Sequence, residues 1–260
     1  YIEGISRNYG YGAIKPGVAT NGAVDIRSAY AGADAIVIKG SNTTTGAGWN
    51  HGVDLGTNNQ GGNWVGYQKL IASGAGGGIT LDGSGNEWAV LIRNGTQLLT
   101  NGGPLTITAG GVGAGGTNSS MYWRNGSTQW WGSAASSAVT STSSNLLLEF
   151  DTFNFSGYPN IATNGTVTWQ STTPTFGSAI DTNWFAWNTN NTTMTGLTLG
   201  KTGNNQAVGV STTDITVAGP ITVYGGDITL NRSLSSTASG ADIFLKALGS
   251  ITQASNVSEI

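Results

Sequence analysis

The chain has 260 residues, 38% of them apolar and only 9% charged, so it can bury a core yet presents a neutral polar surface, far from the roughly 25% charge of an ordinary globular domain. A net charge of −3 with ten scattered Lys and Arg offers no basic stripe to neutralise a run of phosphates, which argues against a nucleic-acid partner. Cysteine is absent, removing disulfide frameworks and thiolate metal sites, and no stretch of 18 apolar residues reads as a membrane insertion.

Glycine fills 42 positions, and most of the remaining polar residues are Thr, Ser and Asn, which favour turns and strands over helices. An all-β chain is expected. Short β-branched or apolar triplets follow one another between Gly, Asn, Asp and Ser clusters: Ile36-Val37-Ile38, Ile79-Thr80-Leu81, Leu105-Thr106-Ile107, Leu146-Leu147-Leu148 and Val167-Thr168-Trp169. Toward the C-terminus they crowd together as Leu197-Thr198-Leu199, Ile215-Thr216-Val217, Ile221-Thr222-Val223, Ile228-Thr229-Leu230 and Ile243-Phe244-Leu245. Strands this short build no stable free sheet. They gain stability when each stacks on its equivalent one coil away, at about 4.8 Å. A parallel β-solenoid is expected, one unit over residues 1–260 with about 20–25 residues per coil and a shaft of about 50–60 Å.

Two self-matches support a repeat. Gly32-Ala33-Asp34-Ala35-Ile36-Val37-Ile38-Lys39-Gly40 matches Gly240-Ala241-Asp242-Ile243-Phe244-Leu245-Lys246-Ala247 with one residue skipped, and Leu91-Ile92-Arg93-Asn94-Gly95-Thr96-Gln97-Leu98-Leu99 matches the segment from Tyr122 to Trp131 with one insertion. In the second pair an Asn-Gly step lies between apolar runs, a signal for a type I′ hairpin. Those segments are either short antiparallel hairpin excursions in the middle of the chain or corners of the solenoid where Asn is left-handed.

The run Gly219-Pro220-Ile221-Thr222-Val223-Tyr224-Gly225-Gly226-Asp227-Ile228-Thr229-Leu230-Asn231, followed by Gly240-Ala241-Asp242-Ile243-Phe244-Leu245-Lys246-Ala247-Leu248-Gly249-Ser250-Ile251, resembles the repeats of filamentous-haemagglutinin-like (two-partner secretion) bacterial exoproteins. The resemblance is densest over about residues 195–255, extends to 20–45 and 75–110, and is absent between about 120 and 190. It implies a right-handed parallel β-helix, export through an outer-membrane two-partner route, and an adhesive or surface-matrix role. The family's N-terminal secretion motifs are not visible, so that route would belong to a parent protein. The chain opens at Tyr1 without a basic-apolar leader and stops inside the pattern at Ile260, as expected of an internal or processed piece.

Residues 120–190 are irregular and rich in aromatics, including Trp123, Trp130-Trp131, Phe150, Phe153, Trp169, Phe176, Trp184-Phe185 and Trp187. One reading stacks these rings in the core, where ring pairs add about 0.5–1.5 kcal/mol beyond burial. The other displays Trp130, Trp131, Trp184 and Trp187 as a ligand-binding platform for sugar rings or a neighbouring subunit. Neighbours in a strand face opposite ways, so at least one ring of each adjacent pair is expected outside.

The carboxylates suggest little catalysis. Asp34, Asp227 and Asp242 each precede an apolar strand, where Asp satisfies local backbone amides. Glu149 and Asp151, two apart, would share a strand face as paired glycosidase acids might, but no opposing acid or basic partner accompanies them. The single histidine, His51, reads as a solvated loop residue without a second imidazole for a metal. Asp82-Gly83-Ser84-Gly85-Asn86-Glu87 starts like a calcium loop but lacks its glycine and closing glutamate. The glycine tracts from Gly74 and Gly110 lack a phosphate loop's Lys-Ser/Thr ending.

The expected function is a non-enzymatic structural and adhesive rod of a bacterial cell surface, extracellular, without cofactor or metal, able to assemble with itself end to end or laterally or to bind host or matrix glycans. The alternative is a carbohydrate-binding or carbohydrate-cleaving β-helix built on the aromatic middle.

Overall fold

Extended triplets of Ile, Val, Leu and Thr send alternate side chains to opposite faces, and in the computed structural model every triplet named above lies in a strand. The structure describes residues 1–6, 10–13, 24–42, 50–55, 68–85, 88–93, 96–110, 120–124, 130–132, 144–156, 160–184, 186–187, 194–211 and 213–254. Among them there is no α-helix, and the one helical turn is the 3-10 turn Thr182–Trp184.

The strands fall into rounds of three. The first is β1 (Ile2–Ser6), β2 (Gly10–Ala13) and β3 (Val24–Ser28), and the second is β4 (Ile36–Asn42), β5 (Asn50–Leu55) and β6 (Gln68–Ala72). The third is β7 (Gly77–Ser84), β8 (Trp88–Arg93) and β9 (Gln97–Leu99), and the fourth is β10 (Gly102–Ala109), β11 (Ser120–Arg124) and β12 (Trp130–Gly132). The fifth holds β13 (Leu146–Phe150), β14 (Thr152–Ser156) and β15 (Asn160–Ala162), and the sixth β16 (Thr166–Gln170), β17 (Ile180–Asp181) and β18 (Ala186–Trp187). The seventh is β19 (Gly196–Leu199), β20 (Val208–Val210) and β21 (Ile215–Val217), the eighth β22 (Ile221–Gly225), β23 (Ile228–Leu230) and β24 (Leu234–Ser236), and the last β25 (Ile243–Ala247) and β26 (Ile251–Gln253).

Leading strands of all nine rounds form one sheet in the order β1-β4-β7-β10-β13-β16-β19-β22-β25, every neighbouring pair parallel. The chain is thus all-β with parallel sheets, an arrangement compatible with a β-helix. Register aligns like with like. One column runs Ile36, Ile79, Leu105, Leu146, Val167, Leu197, Ile221, Ile243, and the next runs Ile38, Leu81, Ile107, Leu148, Trp169, Leu199, Val223, Leu245. All but the final pair are buried, each such side chain contributing about 1.5–3 kcal/mol. The two self-matched ends also agree, since Ile36 and Ile243 share one column and Ile38 and Leu245 the other.

Rounds differ in length, which corrects the expected 20–25 residues per coil. Leu146 pairs with Val167 21 residues on and Tyr224 stands 22 residues before Lys246, but Leu105 and Leu146 are 41 apart. The nine leading strands therefore make only eight stacking steps, about 38 Å, and the expected 50–60 Å is too long. The added residues of the long rounds fall mostly in 43–49, 56–67, 111–119, 125–129 and 133–143, outside the described residues.

Lateral strands change sheets partway. In the first five rounds second strands form β14-β11-β8-β5-β2, and from the sixth they form β17-β20-β23-β26. Third strands form β18-β15-β12-β9-β6-β3 and then β21-β24. Four aromatic side chains gather at that break. Trp169 lies 5.4 Å from Phe153 on β14, 5.8 Å from Phe150 and 5.7 Å from Phe176, which sits in the segment leading to β17. Bulky rings fill the space where one side sheet stops and the next begins. The core reading holds for Phe150, Trp169 and Phe176, all buried, although their contacts are edge-to-face or tilted because the rings come from different columns and sheets rather than from one stack.

In the two Arg-Asn-Gly segments, Asn94-Gly95 and residues 125–129 lie outside the described residues, but the strands that flank them are described. β8 pairs in parallel with β5 and β11, while β9 pairs in parallel with β6 and β12, so the strands flanking Asn94-Gly95 belong to different sheets and form no hairpin. The same holds for β11 and β12. Among the described residues the strands expected to form antiparallel excursions there pair in parallel instead, and the antiparallel bridge joins Gly77 to Asn101.

Candidate functional site

The outward positions of the nine-stranded sheet form polar columns. Lys39, Asp82, Thr108, Glu149 and Gln170 stand in successive register, with Glu3 at the same position on β1. Lys39 Nζ lies 3.7 Å from Asp82 Oδ2, the Thr108 hydroxyl donates to Glu149 Oε2 at 3.3 Å, and Gln170 Nε2 donates to Glu149 Oε1 at 2.6 Å. Beside it runs a column of Val37, Thr80, Thr106, Leu147, Thr168, Thr198, Thr222 and Phe244. Near the C-terminal edge a ring contact takes the place of ion pairing: Lys246 Nζ sits 4.8 Å from the Tyr224 ring centroid and donates to its hydroxyl at 3.2 Å. That hydrogen bond, aided by one from Thr202, lowers the Tyr224 pKa.

Carboxylates serve the stack. Asp227 Oδ1 accepts the Ser250 N–H at 2.7 Å and its hydroxyl at 2.8 Å, holding the Asp227 carboxyl below its usual pKa. Asp214 Oδ1 accepts the Ser233 N–H and Asn145 Oδ1 the Thr166 N–H. In each case donor and acceptor stand at register-equivalent positions at the entrances of paired strands, so the side chain satisfies an amide one round later. This corrects the expectation of purely local turn bonding. Asp34 and Asp242 are exposed and make no such bond among the described residues.

Glu149 and Asp151 do not behave as an acid pair. Glu149 is held by Thr108 and Gln170, while Asp151 lies past the end of β13, buried, with Oδ1 accepting the Thr173 N–H at 3.0 Å. His51 is also not a solvated loop residue. It lies in β5, 1% exposed, with Nδ1 3.2 Å from Asp54 Oδ2. Nothing in Asn50-His51-Gly52-Val53-Asp54 resembles an apolar triplet, so only its neighbours in register, β2 and β8, reveal a strand.

Trp130 and Trp131 lie in β12, Trp184 in the 3-10 turn and Trp187 in β18, but their side chains lie outside the described residues. Register places Trp131 and Trp187 in the column of Leu70 and Leu98, and Trp130 in that of Lys69 and Gln97. β12 belongs to the fourth round, and the Thr182–Trp184 turn and β18 to the sixth.

Among the described residues no three His, Asp or Glu side chains gather where a metal could bind. No family model, curated protein or solved structure matches the chain.

Proposed function

We propose that the chain is a length of right-handed parallel β-helix acting as a structural and adhesive shaft of a secreted bacterial surface protein of the filamentous-haemagglutinin type. One observation carries this reading: nine strands, each three elements after the last, pair in parallel with their Ile, Leu and Val columns in register. Parallel crossover connections are right-handed in about 98% of cases, which supports the handedness. The resemblance over 195–255 falls where consecutive rounds are short, Leu197 pairing with Ile221 and Ile221 with Ile243, so the repeat is little interrupted there. A neutral Thr-rich outer face keeps such a shaft from collapsing non-specifically while side loops contact host or matrix glycans. The role is non-enzymatic.

Glycan arrays combined with small-angle scattering test it. Retention of a glycan without turnover, by a dilute particle with a uniform elongated section, is the expected outcome. A near-spherical particle overturns the shaft, and release of cleaved sugar overturns the non-enzymatic role.

A further inference from the structure

Alternate residues of a strand share a face, so Asp242, Phe244 and Lys246 stand in a line on the outer face of the nine-stranded sheet. Their register with β22 sets Phe244 beside Thr222 and Lys246 beside Tyr224. Successive members of the line are about 6.6 Å apart, and all three side chains are exposed. Asp242 makes no side-chain hydrogen bond among the described residues.

Lys246 is held in place but not neutralised. Its Nζ lies 4.8 Å from the Tyr224 ring centroid and 5.6 Å from that of Phe244, and one of its N–H groups donates to the Tyr224 hydroxyl at 3.2 Å. An ammonium has three donors, so two remain for a ligand. Lys39 has Asp82 at 3.7 Å and Arg27 has Asp25 at 2.8 Å, whereas among the described residues no carboxylate pairs with Lys246. The Tyr224 oxygen accepts from both Lys246 and Thr202, which directs its own hydrogen away from the two donors. Those bonds also lower the Tyr224 pKa, making the phenol a stronger donor. A charged donor and a polarised neutral one thus stand side by side.

We infer that this face binds an acidic glycan, with the oxyanion of one sugar on Lys246 Nζ and the Tyr224 hydroxyl, its pyranose ring against Phe244, and hydroxyls of the next sugar on Asp242. An aromatic surface with a few placed polar groups is the usual make-up of a small-ligand site. An inorganic anion would engage Lys246 and Tyr224 but neither Phe244 nor Asp242. A neutral sugar would leave the ammonium unmatched. Asp242 does not repel the oxyanion, because four residues of strand put it about 13 Å from Lys246, beyond the roughly 8 Å screening length of physiological salt.

This inference rests on the reading of the chain as a glycan-contacting shaft and names the site and the class of sugar; the experiment separates the two. Calorimetric titration of the 260-residue chain with tetragalacturonate, a sulfated galactotetraose and uncharged galactotetraose gives the affinities. The uncharged sugar should bind at least about tenfold more weakly than the better acidic one, and which acid binds better tells carboxylate from sulfate. Lys246→Gln and Tyr224→Phe each weaken the acidic sugar at least about tenfold, while Lys39→Gln, on the same sheet face but paired to Asp82, leaves it unchanged. Unchanged circular dichroism shows that each variant folds. Equal affinity for charged and uncharged sugars, no binding of either acidic sugar, or binding that survives in both Lys246→Gln and Tyr224→Phe overturns the inference and leaves the shaft standing. A compact particle in scattering removes the shaft, and loss of acidic-sugar binding in the two variants then still upholds the site.

Discussion

The Asp227 carboxylate accepts hydrogen bonds from the backbone N–H and the hydroxyl of Ser250, the residue that occupies its own position one round later. An acceptor at a corner thus ties two rounds together, and charge strengthens it. Because the Asp227 pKa is lowered in the fold, its stabilising effect is present above the unfolded carboxylate pKa of about 3.9 and disappears as pH falls through the lower native value. Asp227→Asn keeps an acceptor without the charge. Thermal melts at stepped pH should show the wild-type advantage shrinking between the unfolded and native pKa values, and a constant difference at all pH would refute the linkage.

Trp169 is fully buried and touches Phe150, Phe153 and Phe176 at the break between side sheets. Removing it leaves a cavity that no neighbouring strand can close, since β14 and β17 are not paired. Trp169→Ala should cost about 3–5 kcal/mol in denaturant unfolding. A loss below about 1 kcal/mol would show that the rings are not filling the break.

Much of this was legible from the residues. Triplets such as Ile221-Thr222-Val223 announce a strand because alternation and β-branching coincide, and the C-terminal rounds announce a repeat because they are short and similar. The middle was not legible, because rounds there reach 41 residues and no fixed interval links Leu105 to Leu146. His51 was missed because its burial depends on flanking strands rather than on its own neighbours. The Asp and Asn bonds between rounds were missed for a related reason: their partners lie 19, 21 or 23 residues on, a distance set by insertions that leave no mark at the acceptor itself.

Asn204 joins three rounds. Its Oδ1 accepts the Phe176 N–H at 3.3 Å and the Thr175 hydroxyl at 3.1 Å, and its Nδ2 donates to the Tyr224 carbonyl at 2.9 Å, all with the side chain buried. Asn204→Ala strands an amide and a carbonyl away from water. A loss of about 2–3 kcal/mol is expected from chemical denaturation. Hydrogen exchange should quicken first at Phe176, and exchange unchanged there would mean that the amide has another acceptor.

Gly219 and Gly76 make a contrasting pair. A Cβ on Gly219 would run into the Thr195 carbonyl oxygen on the preceding round, whereas one on Gly76 meets nothing within 4 Å but sits at φ +74°. Gly76→Ala therefore costs only its left-handed conformation, about 1–2 kcal/mol, and leaves the spacing of rounds unchanged. Gly219→Ala must push backbone against backbone at the entrance to β22, so its cost exceeds that of Gly76→Ala and spreads to both flanking rounds. Comparing melting temperatures and the exchange of the Leu197 and Ile221 amides in the two variants checks this: faster exchange at both amides in Gly219→Ala alone is expected, and equal protection in the two would mean that the rounds do not approach so closely.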